Sequence, residues 1–565
     1  MEGDRRPARQ SPRPLPPNIF WSKPADRAFS GMTRPAFVLL PVLLFLSLTG
    51  VGPLTAAEHG FAATVNPLAT QAALEAMQSG GNAVDGAIAA AVMLGVVDQH
   101  NSGIGGGLFM LVRSPDGSFA AIDGRETAPA AATRDMFLRN GKAEPKLAQE
   151  GPLAAGVPGW LAALAHAAVN FGKLPLSRPL EKAARVAQEG FVPDPGFEDR
   201  RKSWSEALSR HPETARILLA PLRDGKLKLP DLAASHRHIA AEGIGWFYGG
   251  AFAERTEAWM KANGGLMTAA DLKNYQVKRR EPLRSTYRGY DIAGFPPPSS
   301  GGVHVAEMLN ILEAFDLRAM GNGTPDFIHT VTEAMKPAFA DRAHWLGDPD
   351  FTKVPRGLID QAYARPLAKR IDPAKATPVA GHGEPPAAGT DVFGKHTTHF
   401  SVIDSEGWSV ACTATINYTW GSLVTIPGTG ILLNDEMDDF SMQPGVPNVF
   451  GLLGGEANAV ASGKRPLSSM SPTIVQKDGQ PVLVIGAAGG PTIISQVLLG
   501  VIQVIDFGRT PAQALAAPRF HHQWRPDALR IEQSVPEATR TELEKRGHTL
   551  NVVPMIGVAQ AIARA

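Results

Sequence analysis

His396-Thr397-Thr398-His399-Phe400-Ser401-Val402-Ile403-Asp404 is the stretch on which the reading of this chain turns. It follows a segment crowded with chain breakers, Pro373, Pro378, Gly381, Gly383, Pro385, Pro386 and Gly389. Phe400 and Val402 then alternate with Ser401 and Ile403, Ser405-Glu406-Gly407 supplies a turn, and Trp408, Val410 and Cys412 resume the alternation. That pattern predicts a β-hairpin. Two threonines thus stand where an irregular segment becomes a strand. A cut there would expose a new, rigidly held N-terminal hydroxyl residue. Taken alone, two β-forming residues simply begin an ordinary strand.

Toward the C-terminus, Asn434-Asp435-Glu436-Met437-Asp438-Asp439 reads as a polar loop and Pro444–Gly451 as an ordered surface loop. Arg465-Pro466-Leu467-Ser468-Ser469-Met470 leads into a second hairpin, Ile474–Val475 to Val482–Ile485, turned by Asp478-Gly479. Gly489-Gly490-Pro491 then opens a helix predicted from Thr492 to about Ile505. Proline suits a helix start, and amides left free there can hold an anion or an oxyanion.

Toward the N-terminus, Asn66 and Pro67 start one helix that Gly80-Gly81 ends, and Asn82 with Asp85 starts another through Val97. The second is predicted to be a buried core helix, too short in its apolar part to be a span. In Asn101-Ser102-Gly103-Ile104-Gly105-Gly106-Gly107-Leu108, Leu108 holds the place of the last glycine of a dinucleotide fingerprint, and the run follows a helix. The glycines therefore predict tight backbone packing beside a core or pocket. A hairpin from Phe109–Arg113 to Phe119–Asp123 delivers Arg125 and Glu126. Residues 158–275 read as mostly helical, Tyr290–Ala293 as a strand, Phe295–Gly302 as a rigid loop, and the chain to about Arg370 as helices.

At 565 residues, length alone allows two to four domains or one large α/β sandwich. Hydrophobic residues are 44% and charged residues 19%, enough to bury a large core, and the formal net charge of +1 offers nucleic acid no counter-charge. Small-molecule chemistry is the expectation. Residues 1–31 are Pro- and Arg-rich without apolar periodicity. Met32-Thr33-Arg34, the apolar run Ala36–Leu48 and Thr55-Ala56-Ala57 have the layout of a signal peptide. Export to the periplasm or medium is expected, with an uncleaved N-terminal anchor as the alternative. Cys412 is the sole cysteine, so no intramolecular disulfide can form.

Singly, these residues have plain readings. Arg125 would be an ion-paired arginine, Ser468-Ser469 a loop, and Glu436, Asp438 and Asp439 a solvated turn. His396, His399, His521 and His522 lack metal-site spacing, so neither metal nor cofactor is expected. Jointly and in order, however, they carry a family. Thr397–Asp404, Leu432–Ser441, Arg465–Pro472, Gly489-Gly490 and Ala517–Trp524 resemble γ-glutamyltransferases, from about Ala62 to the C-terminus.

The resemblance implies an α+β fold, the four-layer αββα sandwich of N-terminal-nucleophile hydrolases. It also implies one precursor that cuts itself at His396–Thr397. Residues 1–57 would then be leader and signal, 58–396 the large fragment, and 397–565 the small fragment, the two remaining together as a heterodimer. Thr397 would be the nucleophile, its hydroxyl positioned by Thr415, with Gly489 and Gly490 as oxyanion donors. Arg125, Ser468 and Ser469 would hold a donor's α-carboxylate, and Asn417, Glu436 and Asp439 its α-ammonium. The donors implied are glutathione and related γ-glutamyl compounds, and the acceptors are water, amino acids or peptides.

Two features depart from the family pattern. Phe450 stands in a lid loop where relatives often have tyrosine, predicting a lid without a hydroxyl latch. The chain stops at Ala565, where the family continues through a further strand, which predicts an open sheet edge. A glutaryl or cephalosporin acylase of the same family and an unprocessed, inactive homologue are the alternatives.

Overall fold

In the first hairpin, His399–Asp404 and Ser409–Thr415, every residue is buried. The alternation therefore separates two cores rather than core from solvent. Phe400, Val402, Val410, Cys412 and Ala414 face one apolar cluster, and Ile403 and Ala411 face another. That is the signature of a strand in the middle of a layered sandwich.

A computed structural model describes residues 59–386 and 398–563, all within one compact unit. The leader, the signal segment and the His396–Thr397 bond lie outside the described residues. The first sheet is antiparallel, in the order Gly60–Ala63, His399–Asp404, Ser409–Thr415, Gly107–Arg113, Phe119–Gly124, Lys278–Arg280. The second is also antiparallel, in the order Val558–Ile562, Gln480–Ala488, Thr473–Lys477, Tyr290–Gly294, Leu283–Tyr287.

Three cores fill the spaces between four layers. Helices Pro67–Gln78, Ala83–Val97 and Trp160–Phe171 pack on the outer face of the first sheet. Helices Gly301–Leu312, Pro325–Trp345 and Thr492–Ile505 pack on the outer face of the second. Between the sheets lie Phe109, Leu111, Ala293, Phe295, Ile474 and Val484, with Phe109 and Phe295 stacked at 4.2 Å. The chain is thus the αββα sandwich that the resemblance implies.

Local chemistry accounts for the elements. Asn66 accepts from Leu68 N at 3.0 Å, and Asn82 with Asp85 forms a capping box before Ala83–Val97, whose residues are all buried. Asp478 and Gly479 adopt the positive φ angles of a tight hairpin turn. The rigid loop after Tyr290–Gly294 is shorter than expected, because Gly301 and Gly302 already belong to the next helix. The edge strand of the second sheet beside Gln480–Ala488 is Val558–Ile562. Among the described residues, no helix is long and apolar enough to cross a membrane.

Candidate active site

One end of the two sheets gathers the described residues among the predicted site set. In the first sheet, Thr415 pairs with Gly107, Leu108 with Gly124 just before Arg125, and Thr413 with His399, two residues after Thr397. In the second, Gly489-Gly490 follow Gln480–Ala488 directly, and Ser468-Ser469 shortly precede Thr473–Lys477. His399 ties the sheets together. Its ring contacts Thr413 Oγ1 and Ser401 Oγ, each at 3.0 Å, and lies against Gly486. Ser401 spends its proton on Val484 O, so His399 Nε2 donates to Ser401 and Nδ1 accepts from Thr413. Burial holds this imidazole neutral, with its pKa pushed down to about 3.

The glycine run packs as predicted. A Cβ on Gly105 would strike the carbonyl of Leu432, and one on Gly106 the carbonyl of Thr415. Asn434 takes up the freed backbone, donating from Nδ2 to Gly105 O and Gly156 O at 2.8 Å each and accepting from Gly156 N at 2.9 Å. The acidic loop is thereby fixed over Arg125, in a turn that is fully buried rather than solvated.

Arg125 donates to Glu436 Oε1, to Asp439 Oδ2 at 2.7 Å and to Pro466 O at 3.3 Å, with Glu126 Oε2 at 3.5 Å. Burial works against its cation, but the carboxylates of Glu436, Glu126 and Asp439 outweigh it and raise its pKa. Three buried carboxylates facing one cation leave negative charge in excess. Burial drives Glu436 well above the usual carboxylate range and Glu126 up to about 7.

Several polar atoms here have no described partner. Asn417, held at φ +74° with its amide on Thr415 Oγ1 at 2.7 Å, leaves its buried Oδ1 unmatched, as Glu436 leaves Oε2. Ser468 and Ser469 are fully buried, and no described group accepts either hydroxyl proton. No described group accepts the Gly489 or Gly490 amides either. Orphan acceptors and orphan donors together are the polar complement of a ligand carrying both charges.

The Pro444–Gly451 loop covers this end. Val449 N donates to Asp438 Oδ2 at 2.9 Å, Asn448 Nδ2 to Asp439 Oδ1 at 3.1 Å, and Gln523 Nε2 to Gly451 O at 3.1 Å. The Phe450 ring meets Tyr418 at 5.7 Å and covers Gly490, where a Cβ would lie 2.7 Å from the ring. Thr397 and His396 lie outside the described residues. Elsewhere, His329, Glu333 and His548 approach closely enough to consider a metal. There, however, the imidazoles bond each other at 2.8 Å, and Lys336 already occupies Glu333 at 2.5 Å.

Sequence reasoning missed the weight of Glu126, Asn434, Asn448 and Arg342. Glu126 gives a test. Its pKa is raised from 4.5 to about 7, so its contribution to stability is whole below about pH 4.5 and is lost as pH rises through about 7. Glu126→Gln is expected to flatten that decline, which is on the order of 3 kcal/mol. Parallel melting profiles of the two proteins across this window would contradict it.

The family model described as Gamma-glutamyltranspeptidase matches residues 69–565. A protein of Escherichia coli named glutathione hydrolase proenzyme is 44% identical over 513 residues, covering 90% of this chain and 88% of that one. A like-named Pseudomonas protein is 40% identical over 485 residues, covering 84% of each. The crystal structure of cephalosporin acylase from Bacillus halodurans superposes with a TM-score of 0.80 at 28% identity, covering 93% of this chain and 96% of that one.

Proposed function

Since the chain belongs to the gamma-glutamyltranspeptidase family, we propose that it is a self-processing enzyme that opens γ-glutamyl amides such as glutathione. The observation that carries this reading is the amphoteric site. Arg125 and the hydroxyl protons of Ser468 and Ser469, which no described group accepts, suit an α-carboxylate. Asn417 Oδ1, Glu436 and Asp439 suit an α-ammonium.

In processing, Thr397 Oγ attacks the carbonyl carbon of His396. The peptide C–N bond breaks, an ester forms, and the freed nitrogen becomes the α-amine of Thr397. Water then hydrolyses the ester, leaving fragments 58–396 and 397–565. In turnover, that amine takes the hydroxyl proton as Oγ attacks the donor's γ-carbonyl. An unperturbed α-amine has a pKa near ~8, close to working pH. The oxyanion is held by the Gly489 and Gly490 amides, and Thr415 positions the hydroxyl. The amine passes its proton to the leaving nitrogen, the donor C–N bond breaks, and a γ-glutamyl–threonine ester remains. Water or the amine of an amino acid or peptide then releases the glutamyl group. Met32–Ala57 directs export, so the reaction takes place outside the cytoplasm.

Gly490→Ala sets a Cβ against Phe450 at a φ of +59° and moves an oxyanion donor. We expect kcat to fall on the order of a hundredfold. An unchanged kcat would remove Gly490 from that role.

Likeness to a cephalosporin acylase favours a second reading, a glutaryl side-chain acylase. A glutaryl group has no ammonium to place among Glu436, Asp439 and Asn417. Assays of γ-glutamyl- against glutaryl-p-nitroanilide decide between them. Preference for the γ-glutamyl compound is expected, and preference for the glutaryl compound would overturn the donor assigned here.

A further inference from the structure

Arg342, on the helix Pro325–Trp345, is 2% exposed, and no described carboxylate pairs with its guanidinium. A buried arginine normally has such a partner, because stranding a cation away from water is costly. Instead Arg342 Nε donates to Ser300 Oγ at 3.1 Å, and Nη2 approaches Ser469 Oγ at 3.5 Å. Ser300 passes the order on, donating from Oγ to Ser468 O at 2.6 Å and from its amide to the same oxygen at 2.9 Å.

The direction of these bonds is fixed. A guanidinium has donors only, so the Ser469 hydroxyl must turn its proton away from Arg342. The Ser300 proton is spent on Ser468 O, which sets the backbone of the serine pair. The result is a pair of hydroxyls with no described acceptor, backed by a buried positive charge. Asp439 is the acid whose charge reaches Arg342, and both line the small cavity under the lid loop.

We infer that Arg342 is a positioning residue for the donor's α-carboxylate, orienting Ser468 and Ser469 toward it and adding charge behind them. This rests on the γ-glutamyl reading above. Arg342 discriminates donors by their carboxylate and leaves the acyl chemistry alone.

The test compares γ-glutamyl-p-nitroanilide with 4-aminobutyryl-p-nitroanilide, which keeps the amine and lacks the carboxylate, the latter followed at high enzyme concentration. For Arg342→Met, kcat/KM on the γ-glutamyl donor should fall at least roughly tenfold, chiefly through KM. The 4-aminobutyryl donor should be nearly unaffected. Arg342→Lys, which keeps the charge and loses the fork, should fall between the variant and wild type. Equal losses on both donors, or none on the γ-glutamyl donor, would overturn the inference. If Arg342→Met does not fold or split, Ser300→Ala breaks the relay with the cation in place and must show the same carboxylate-selective loss, or the inference fails. Wild type that ignores the γ-glutamyl donor defeats the donor reading itself, a separate outcome.

Discussion

Thr397→Ala is expected to leave the protein as one uncut chain without turnover on any γ-glutamyl donor. One oxygen serves both reactions in this account, so a single substitution removes both. Cys412, the sole thiol of the chain, offers no substitute nucleophile. It is buried in a strand, and burial drives its thiol pKa far up. Deleting a catalytic nucleophile typically costs on the order of 10⁴-fold or more in rate. Thr397→Ser keeps the hydroxyl and should still split, more slowly or less completely. Denaturing electrophoresis and intact mass read the outcome. An alanine variant that still splits at 396–397 would move the cut to other chemistry.

The second large effect lies at Arg125. Arg125→Met leaves Glu436, Asp439 and Glu126 buried without their cation, and breaking such a buried group typically costs about 3–5 kcal/mol. The penalty has a pH signature. Without the guanidinium the carboxyls of Glu436 and Glu126 hold protons more tightly, so the stability deficit should shrink as pH falls and grow as pH rises. Arg125→Lys retains charge but loses the fork that reaches two carboxylates at once. It should fold and split, while kcat/KM on γ-glutamyl-p-nitroanilide falls at least about tenfold. Melting profiles at pH 5 and pH 8 and donor kinetics check both parts. A deficit independent of pH would mean that Arg125 does not hold these carboxylates together.

How far the sequence could be read follows from the range of each interaction. The three hairpins and the helix at Thr492–Ile505 were legible because turn residues and alternation act over a few positions. Their burial was not. Both faces of His399–Asp404 are covered because helices pack on one side and the second sheet on the other, which no local pattern records. The glycine run was legible as close packing, but its partners, Leu432 and Thr415, lie some three hundred residues on. Likewise Arg125 meets Glu436 and Asp439 across more than three hundred residues, and only resemblance to a family joined them beforehand. Arg342 gave no signal at all. In sequence it is one basic residue near a helix end, and its meaning comes from Ser300 and Ser469 arriving from two other segments.

The claim at the centre is that Thr397 becomes an N-terminal residue and carries the glutamyl group. Purified protein mixed with a γ-glutamyl donor and quenched within the first turnovers can be weighed fragment by fragment. The expected product is a fragment beginning at Thr397 that is heavier by one glutamyl residue, esterified on that threonine and released by water or an amino acid. A chain that stays whole, or a glutamyl adduct on any other residue, would contradict it.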